Sequence, residues 1–254
     1  MRKALVTASS QGLGRACAES LLQAGLSVTL NGRDSARLEA ARQACAVQFG
    51  AARVASLPAE LGRSDHTPKL LEAAASCDVL VLNLGGPPTM DVLEMGAKEW
   101  QASLQALFVP AAEIVTTAVA AMMARGWGRV VFISSIGVKS PLPQLIPSSV
   151  SRLGLTGLMA GLAPKAIAQG VTLNSILPGR IWTDRQQRAV RREARAAGRS
   201  DEAQHQLMSQ LIPAGRFGRP EEVGALCQFL CGESASYLTN QNILVDGGLY
   251  QGLF

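Results

Sequence analysis

Residues 3–25 read KALVTASSQGLGRACAESLLQAG, and their hydrophobic period changes twice. The run 3–8, KALVTA, is continuous rather than alternating, the pattern of a strand covered on both faces. The loop 7–14, TASSQGLG, follows. Its Gly12 and Gly14 let backbone amides approach a pyrophosphate where a helix begins. In that helix Ala16, Ala18, Leu21 and Leu22 share one face, and Gly25 can end it. Strand, glycine turn and helix in this order open a βαβ unit. A glycine turn alone fits a plain structural turn almost as well. Its place directly after the first strand favours a dinucleotide cradle.

The same alternation continues along the chain. Runs at 27–31, 53–57, 78–84, 128–134, 171–176 and 241–247 read as further strands, separated by longer stretches with helical spacing. The expected fold is α/β: one Rossmann-type domain over 1–254, a doubly wound parallel sheet of about seven strands with helices on both faces. Its ligand site lies beyond the carboxyl ends of the strands.

The 254 residues are 48% hydrophobic, enough for one large core. No run of 18 apolar residues appears, so no membrane span is expected. The N-terminus enters strand pattern within four residues, which leaves no room for a signal peptide. The five cysteines have no metal spacing and read as small core residues in a reducing, cytoplasmic setting. His66 and His205 are the two histidines, and no metal site is expected. The net charge of +5 gathers between Arg180 and Arg199. Arg188, Arg192, Arg195 and Arg199 follow helical steps, giving either a solvated basic face or one that recruits an anionic substrate. Aromatic interleaving is missing, so nucleic acid is not an expected partner.

The second strand ends Leu30-Asn31-Gly32 and is followed by Arg33. A cofactor with a free ribose 2′-hydroxyl meets an acid at this point. Arg33 suits a 2′-phosphate instead, so NADP(H) is expected over NAD(H). A solvated loop charge is the alternative.

Taken together, these pieces resemble the short-chain dehydrogenase/reductase family over nearly the whole chain. The family's Thr-Gly-x3-Gly-x-Gly corresponds to Thr7-Ala8-x3-Gly12-x-Gly14, and its Asn-Asn-Ala-Gly to Leu82-Asn83-Leu84-Gly85. Its serine after the fifth strand matches Ser135, and its Pro-Gly turn matches Pro178-Gly179, with Thr183 following. The resemblance implies cofactor contacts at Thr7, Ser9, Ser10, Gly12, Leu13, Gly14, Arg33, Asn83, Gly85, Arg152, Pro178, Gly179, Ile181 and Thr183, with Glu60 near the adenine. It also implies a substrate lid at about 182–215 and a homo-oligomer, expected to be a tetramer, pairing through helices around 100–125 and 148–168.

The family's chemistry uses a tyrosine 13 residues after the serine, a lysine four further on, and an asparagine in the helix after the fourth strand. The corresponding positions here are Ser148, Arg152 and Leu107. A serine hydroxyl is far too weak an acid to replace a phenol, and arginine keeps its proton. The plain alternatives are a helix cap for Ser148 and a carboxylate partner for Arg152. The chain most resembles a divergent ketoacyl-reductase-like subgroup sharing TAS, GGPP, GWGRVV, VKSP and LPGRIWTDR, whose members lack the usual catalytic set. Ser135, Ser148, Arg152 and Lys139 are the candidate catalytic residues, with Lys139 on the rim as the first candidate donor. His205 is a weaker one. Pro164 falls within the same helix and should kink it or remove a hydrogen bond. Two functions stay open. One is NADP(H)-dependent reduction of a carbonyl, such as a ketoacyl group, on a small-molecule or carrier-bound substrate by a non-standard proton route. The other is a dinucleotide-binding sensor or assembly partner with little redox turnover.

Overall fold

The computed structural model describes residues 1–85 and 92–253. The residues 86–88 of the GGPP motif therefore lie outside the described residues. Seven strands form one parallel sheet: β1 (Lys3–Val6), β2 (Ser27–Gly32), β3 (Val54–Pro58), β4 (Val79–Asn83), β5 (Gly128–Ile133), β6 (Val171–Pro178) and β7 (Asn242–Val245). Their order is β3-β2-β1-β4-β5-β6-β7. The order reverses between β1 and β4, so their carboxyl ends open the crevice where a parallel sheet of this kind takes a ligand. The first strand is shorter than its apolar run because Ala8 turns the chain with φ +45°.

Side-chain alternation sorts the helices onto two faces. Ala4, Val6, Val79, Val81, Val131 and Ile133 point to one face. There they meet α1 (Gly12–Gln23), α2 (Ser35–Phe49) and α9 (Pro220–Leu230) through Leu21, Leu38 and Cys227, among others. Leu5, Leu80, Leu82, Val130 and Phe132 point to the other face. They pack on α3 (Thr67–Ser76), α5 (Val109–Arg125) and α6 (Ile146–Ile167) through Leu70, Ile114 and Leu155. The inner strands β4, β5 and β6 thus bury both faces, at roughly 1.5–3 kcal/mol per large aliphatic side chain, while the edge strands β3 and β7 stay partly exposed. All five cysteines are free and buried.

Helix α4 (Ala97–Leu107) runs almost directly into α5, and together Ala97–Arg125 are long and apolar enough to cross a membrane by length and composition. The stretch is not an unbroken apolar run, since Lys98, Glu99 and Glu113 interrupt it. In this fold α5 buries Ile114, Val115, Val119 and Met122 against the sheet. Helix α6 continues through Pro164 without interruption. Proline has no N–H for the carbonyl of Ala160, and Pro164 itself is exposed.

Two helices, α7 (Asp184–Ala196) and α8 (Asp201–Gln210), form the excursion between β6 and α9. Its small core of Val190, Met208, Ile212 and Phe217 is separate from the two sheet faces.

Candidate active site

The first loop is held by neutral hydrogen bonds. Thr7 Oγ1 donates to the carbonyl of Asn83 (2.7 Å) and accepts from the Asn83 N–H (2.8 Å), tying the ends of β1 and β4. Asn83 Nδ2 donates to the carbonyl of Ala8 (3.0 Å). A Cβ on Gly14 would lie 2.5 Å from that carbonyl and 2.7 Å from Asn83 Nδ2, so the helix approaches the loop this closely only with glycine. Gly12 has φ +60°, and its missing Cβ faces Thr183 at 3.8 Å. Loop and post-β6 turn therefore flank one cleft. Thr183 caps α7 by accepting from Gln186 N–H. These features fit a dinucleotide: a backbone cradle at a helix N-terminus, kept open by glycine.

Several predicted contact residues face inward instead. Ser9 is fully buried; its hydroxyl donates to the Val6 carbonyl and accepts from Asn31 N–H. Leu13 packs against the α1 face of the core. The Ser9 N–H is also taken, donating to the Asn31 carbonyl at 2.7 Å, so Ser9 braces the loop, and Leu13 is only half-buried. Ile181 is buried and bridges to Gly218. Pro178 ends β6, and a Cβ on Gly179 would meet Asp246 at 2.7 Å. Gly85 has open space around it.

At the end of β2 a buried residue has a role its sequence position did not reveal. Asn31 accepts from Ala8 N–H and donates to the carbonyls of Leu57 and Ala59, stapling the loop to β3. The strand end is therefore neutral. The cations stand just beyond it. Arg33 Nη1 lies 3.3 Å from Glu60 Oε1, and Arg37 Nη1 donates to Gln11 Oε1 at 3.4 Å. Ser10 is next to Gly32, whose Cβ would be 3.4 Å from its Oγ. Ser10, Arg33 and Arg37 thus border one mouth; Arg37, which also pairs with Asp34 at the start of α2, was not singled out from the sequence.

Ser135 lies two residues beyond β5 and caps the 3-10 turn Ile136–Val138, accepting from Gly137 N–H at 3.0 Å. Its own O–H remains available to a ligand. Ser148 does not cap α6: the helix begins at Ile146, and Ser148 is already inside it. Arg152 Nε donates to Ser148 Oγ (3.1 Å), and its Nη1 donates to the carbonyls of Ile133 and Ser134 (2.8 and 2.9 Å). No described carboxylate pairs with it, which removes the ion-pair alternative. Burial, then the charge of Arg185, lowers its pKa from 12.5 to about 10. The result is a buried cation, still protonated at neutral pH, bracing the carboxyl end of β5. Leu107 is buried at the end of α4.

Lys139 follows the Ser135 turn, with Nζ 5.4 Å from the ring centre of Tyr250. His205 does not stand free in the lid. Its ring packs edge-on against Trp182 at 4.5 Å and near Phe217 at 5.0 Å. On α7, Arg191 pairs with Asp201, while Arg185 loses basicity to partial desolvation and then to Arg188 and Arg192.

A cradle of this build, at the switch point of a seven-stranded parallel sheet, is that of a dinucleotide-binding fold. The chain belongs to the short-chain dehydrogenase/reductase family, whose members are NAD(P)-dependent oxidoreductases; a family model described as enoyl-(acyl carrier protein) reductase matches residues 7–250. It is 32% identical over 250 residues to the 3-oxoacyl-[acyl-carrier-protein] reductase FabG of Aquifex aeolicus, covering 97% of this chain and 96% of that one. It is 33% identical to dehydrogenase/reductase SDR family member 4 of Oryctolagus cuniculus, covering 96% and 92%. Among solved structures, L-sorbose reductase from Gluconobacter frateurii complexed with NADPH and L-sorbose superposes with a TM-score of 0.92 at 27% identity, covering 99% and 97%. Actinorhodin polyketide ketoreductase with NADPH superposes at 0.89 and 25% identity, covering 99% and 98%.

Proposed function

We propose that the chain reduces a carbonyl group on a small-molecule or carrier-bound substrate with NADP(H), by a proton route that does not pass through position 148. The observation that carries this reading is the retained fit of Gly14 under the Ala8 carbonyl and Asn83. Neighbours bound to NADPH, a ketoacyl reductase and a polyketide ketoreductase support the choice of cofactor and reaction. Ser10, Arg33 and Arg37 hold the 2′-phosphate. The cofactor supplies a hydride when bound. Ser135 donates a hydrogen bond to the substrate oxygen. Arg152 stays protonated, keeps β5 and Ser148 in register and favours negative charge developing in the pocket. The acid comes from the rim around Lys139.

The same reading has the protein working in the cytoplasm as a homotetramer paired through α4–α5 and α6. The exposed Val150 (41%) and Leu153 (46%) on α6 support such a contact. The test is NADPH and NADH titration by fluorescence, followed by NADPH oxidation over a carbonyl panel. Tight NADPH binding with turnover of a ketone is the expected result. Binding without turnover of any carbonyl would turn the reading to a dinucleotide sensor, and no binding would end both.

A further inference from the structure

We propose that Tyr250, on the segment after β7, is the proton donor of this site and that Lys139 is its positioning residue. This rests on the carbonyl-reductase reading above. The chain holds two tyrosines. Tyr237 is 98% exposed, whereas Tyr250 is half-buried among the carboxyl-end loops.

Its location is built by several contacts. Gly179 N–H donates to the Val245 carbonyl (2.9 Å), and Ala214 N–H to the Gly247 carbonyl (3.0 Å). The segment is thereby held between the post-β6 turn and the end of the lid. Gly247 and Gly248 turn the chain with φ +66° and +85°. The Asp246 carboxylate accepts from Gly248 N–H (2.9 Å) and Tyr250 N–H (2.8 Å), which locks the turn just before the ring. Leu249 packs on the lid core, as Trp182 does. Tyr250 then meets Lys139, four residues beyond Ser135.

The chemistry follows from these groups. A phenol of ordinary pKa near 10 can protonate a developing alkoxide, and a nearby ammonium stabilises the phenolate left behind. Ser148 is too weak an acid to give this proton, and Arg152 keeps its own. In reduction, the carbonyl carbon accepts the hydride and its oxygen takes the Tyr250 proton, giving an alcohol and oxidised cofactor. Water then reprotonates the phenolate. A phenol and an ammonium, which the family pattern sets one helical turn apart, would here come from two distant loops.

The experiment uses the full chain. With 3-fluorotyrosine incorporated, two fluorine resonances are expected, assigned by Tyr250→Phe and Tyr237→Phe. Adding NADP+ with a ketone found by the panel should move the Tyr250 resonance and leave that of Tyr237. In steady state, Tyr250→Phe should lower kcat by about 100-fold or more, the scale of a general acid. NADPH Kd and melting temperature should stay close to wild type. Lys139→Met should lose kcat and Lys139→Arg should recover most of it. An unmoved Tyr250 resonance, or a Tyr250→Phe kcat within twofold of wild type, would overturn the proposal. So would loss of kcat in Lys139→Met alone, which makes Lys139 itself the donor. A resonance that moves with NADP+ in a protein that reduces no carbonyl would overturn the reductase reading, and the donor role with it.

Discussion

Replacing Arg33 by Ala should weaken NADPH far more than NADH. A charge-assisted contact to a phosphate is worth roughly 1.5–3 kcal/mol. Arg33 must first leave Glu60, but at 3.3 Å and with side chains 79% and 42% exposed this is a surface pair. Such pairs contribute about 0–1 kcal/mol. The difference is about 0.5–3 kcal/mol, or roughly a 2–160-fold rise in NADPH Kd. NADH, without the phosphate, should bind almost unchanged. Glu60→Gln supplies the converse, since removing the competing carboxylate should tighten NADPH by up to about fivefold. Fluorescence titration of both cofactors against the three proteins reads these values. Equal weakening of NADPH and NADH in Arg33→Ala, or a wild-type preference for NADH, would refute the reasoning.

Gly14→Ala should abolish measurable cofactor binding and cost about 1–3 kcal/mol of stability, because the new methyl meets the Ala8 carbonyl and Asn83 rather than a movable side-chain tip; thermal melts and NADPH titration check it. Glu222 gives a pH dependence. Hydrogen bonds from the Arg216 side chain, then from Arg219 N–H, lower its pKa from 4.5 to about 2. Its stabilisation is therefore complete above pH 4.5 and is lost as the pH falls towards 2. Glu222→Gln should melt lower than wild type at neutral pH and show less decline across that acid window.

The inner strands were legible because a parallel strand covered on both faces reads as a near-continuous apolar run, as in the VLVL of β4. The glycine loop was legible because close backbone approach admits few residues. What sequence could not show are relations across distance. Asn31 reads as an unremarkable strand end, but its amide meets partners on the first loop and on β3. The position of Ser148 after Pro147 suggested a cap, yet Ile146 already starts the helix. Arg152 found carbonyls rather than a carboxylate, because the carboxyl end of β5 leaves acceptors facing α6. Tyr250 lies far beyond α6 in sequence, and only the turn at Asp246 brings it towards Lys139.

The central claim is reduction of a carbonyl without an acid at position 148. It is tested most directly by measuring NADPH oxidation with wild type and Ser148→Ala in parallel over one carbonyl panel. Ser148 offers a hydroxyl already engaged by Arg152, so its removal should leave kcat within a few-fold of wild type on any ketone that is turned over. A kcat loss of about 100-fold or more in Ser148→Ala, the scale of a lost general acid, with NADPH affinity intact, would contradict it.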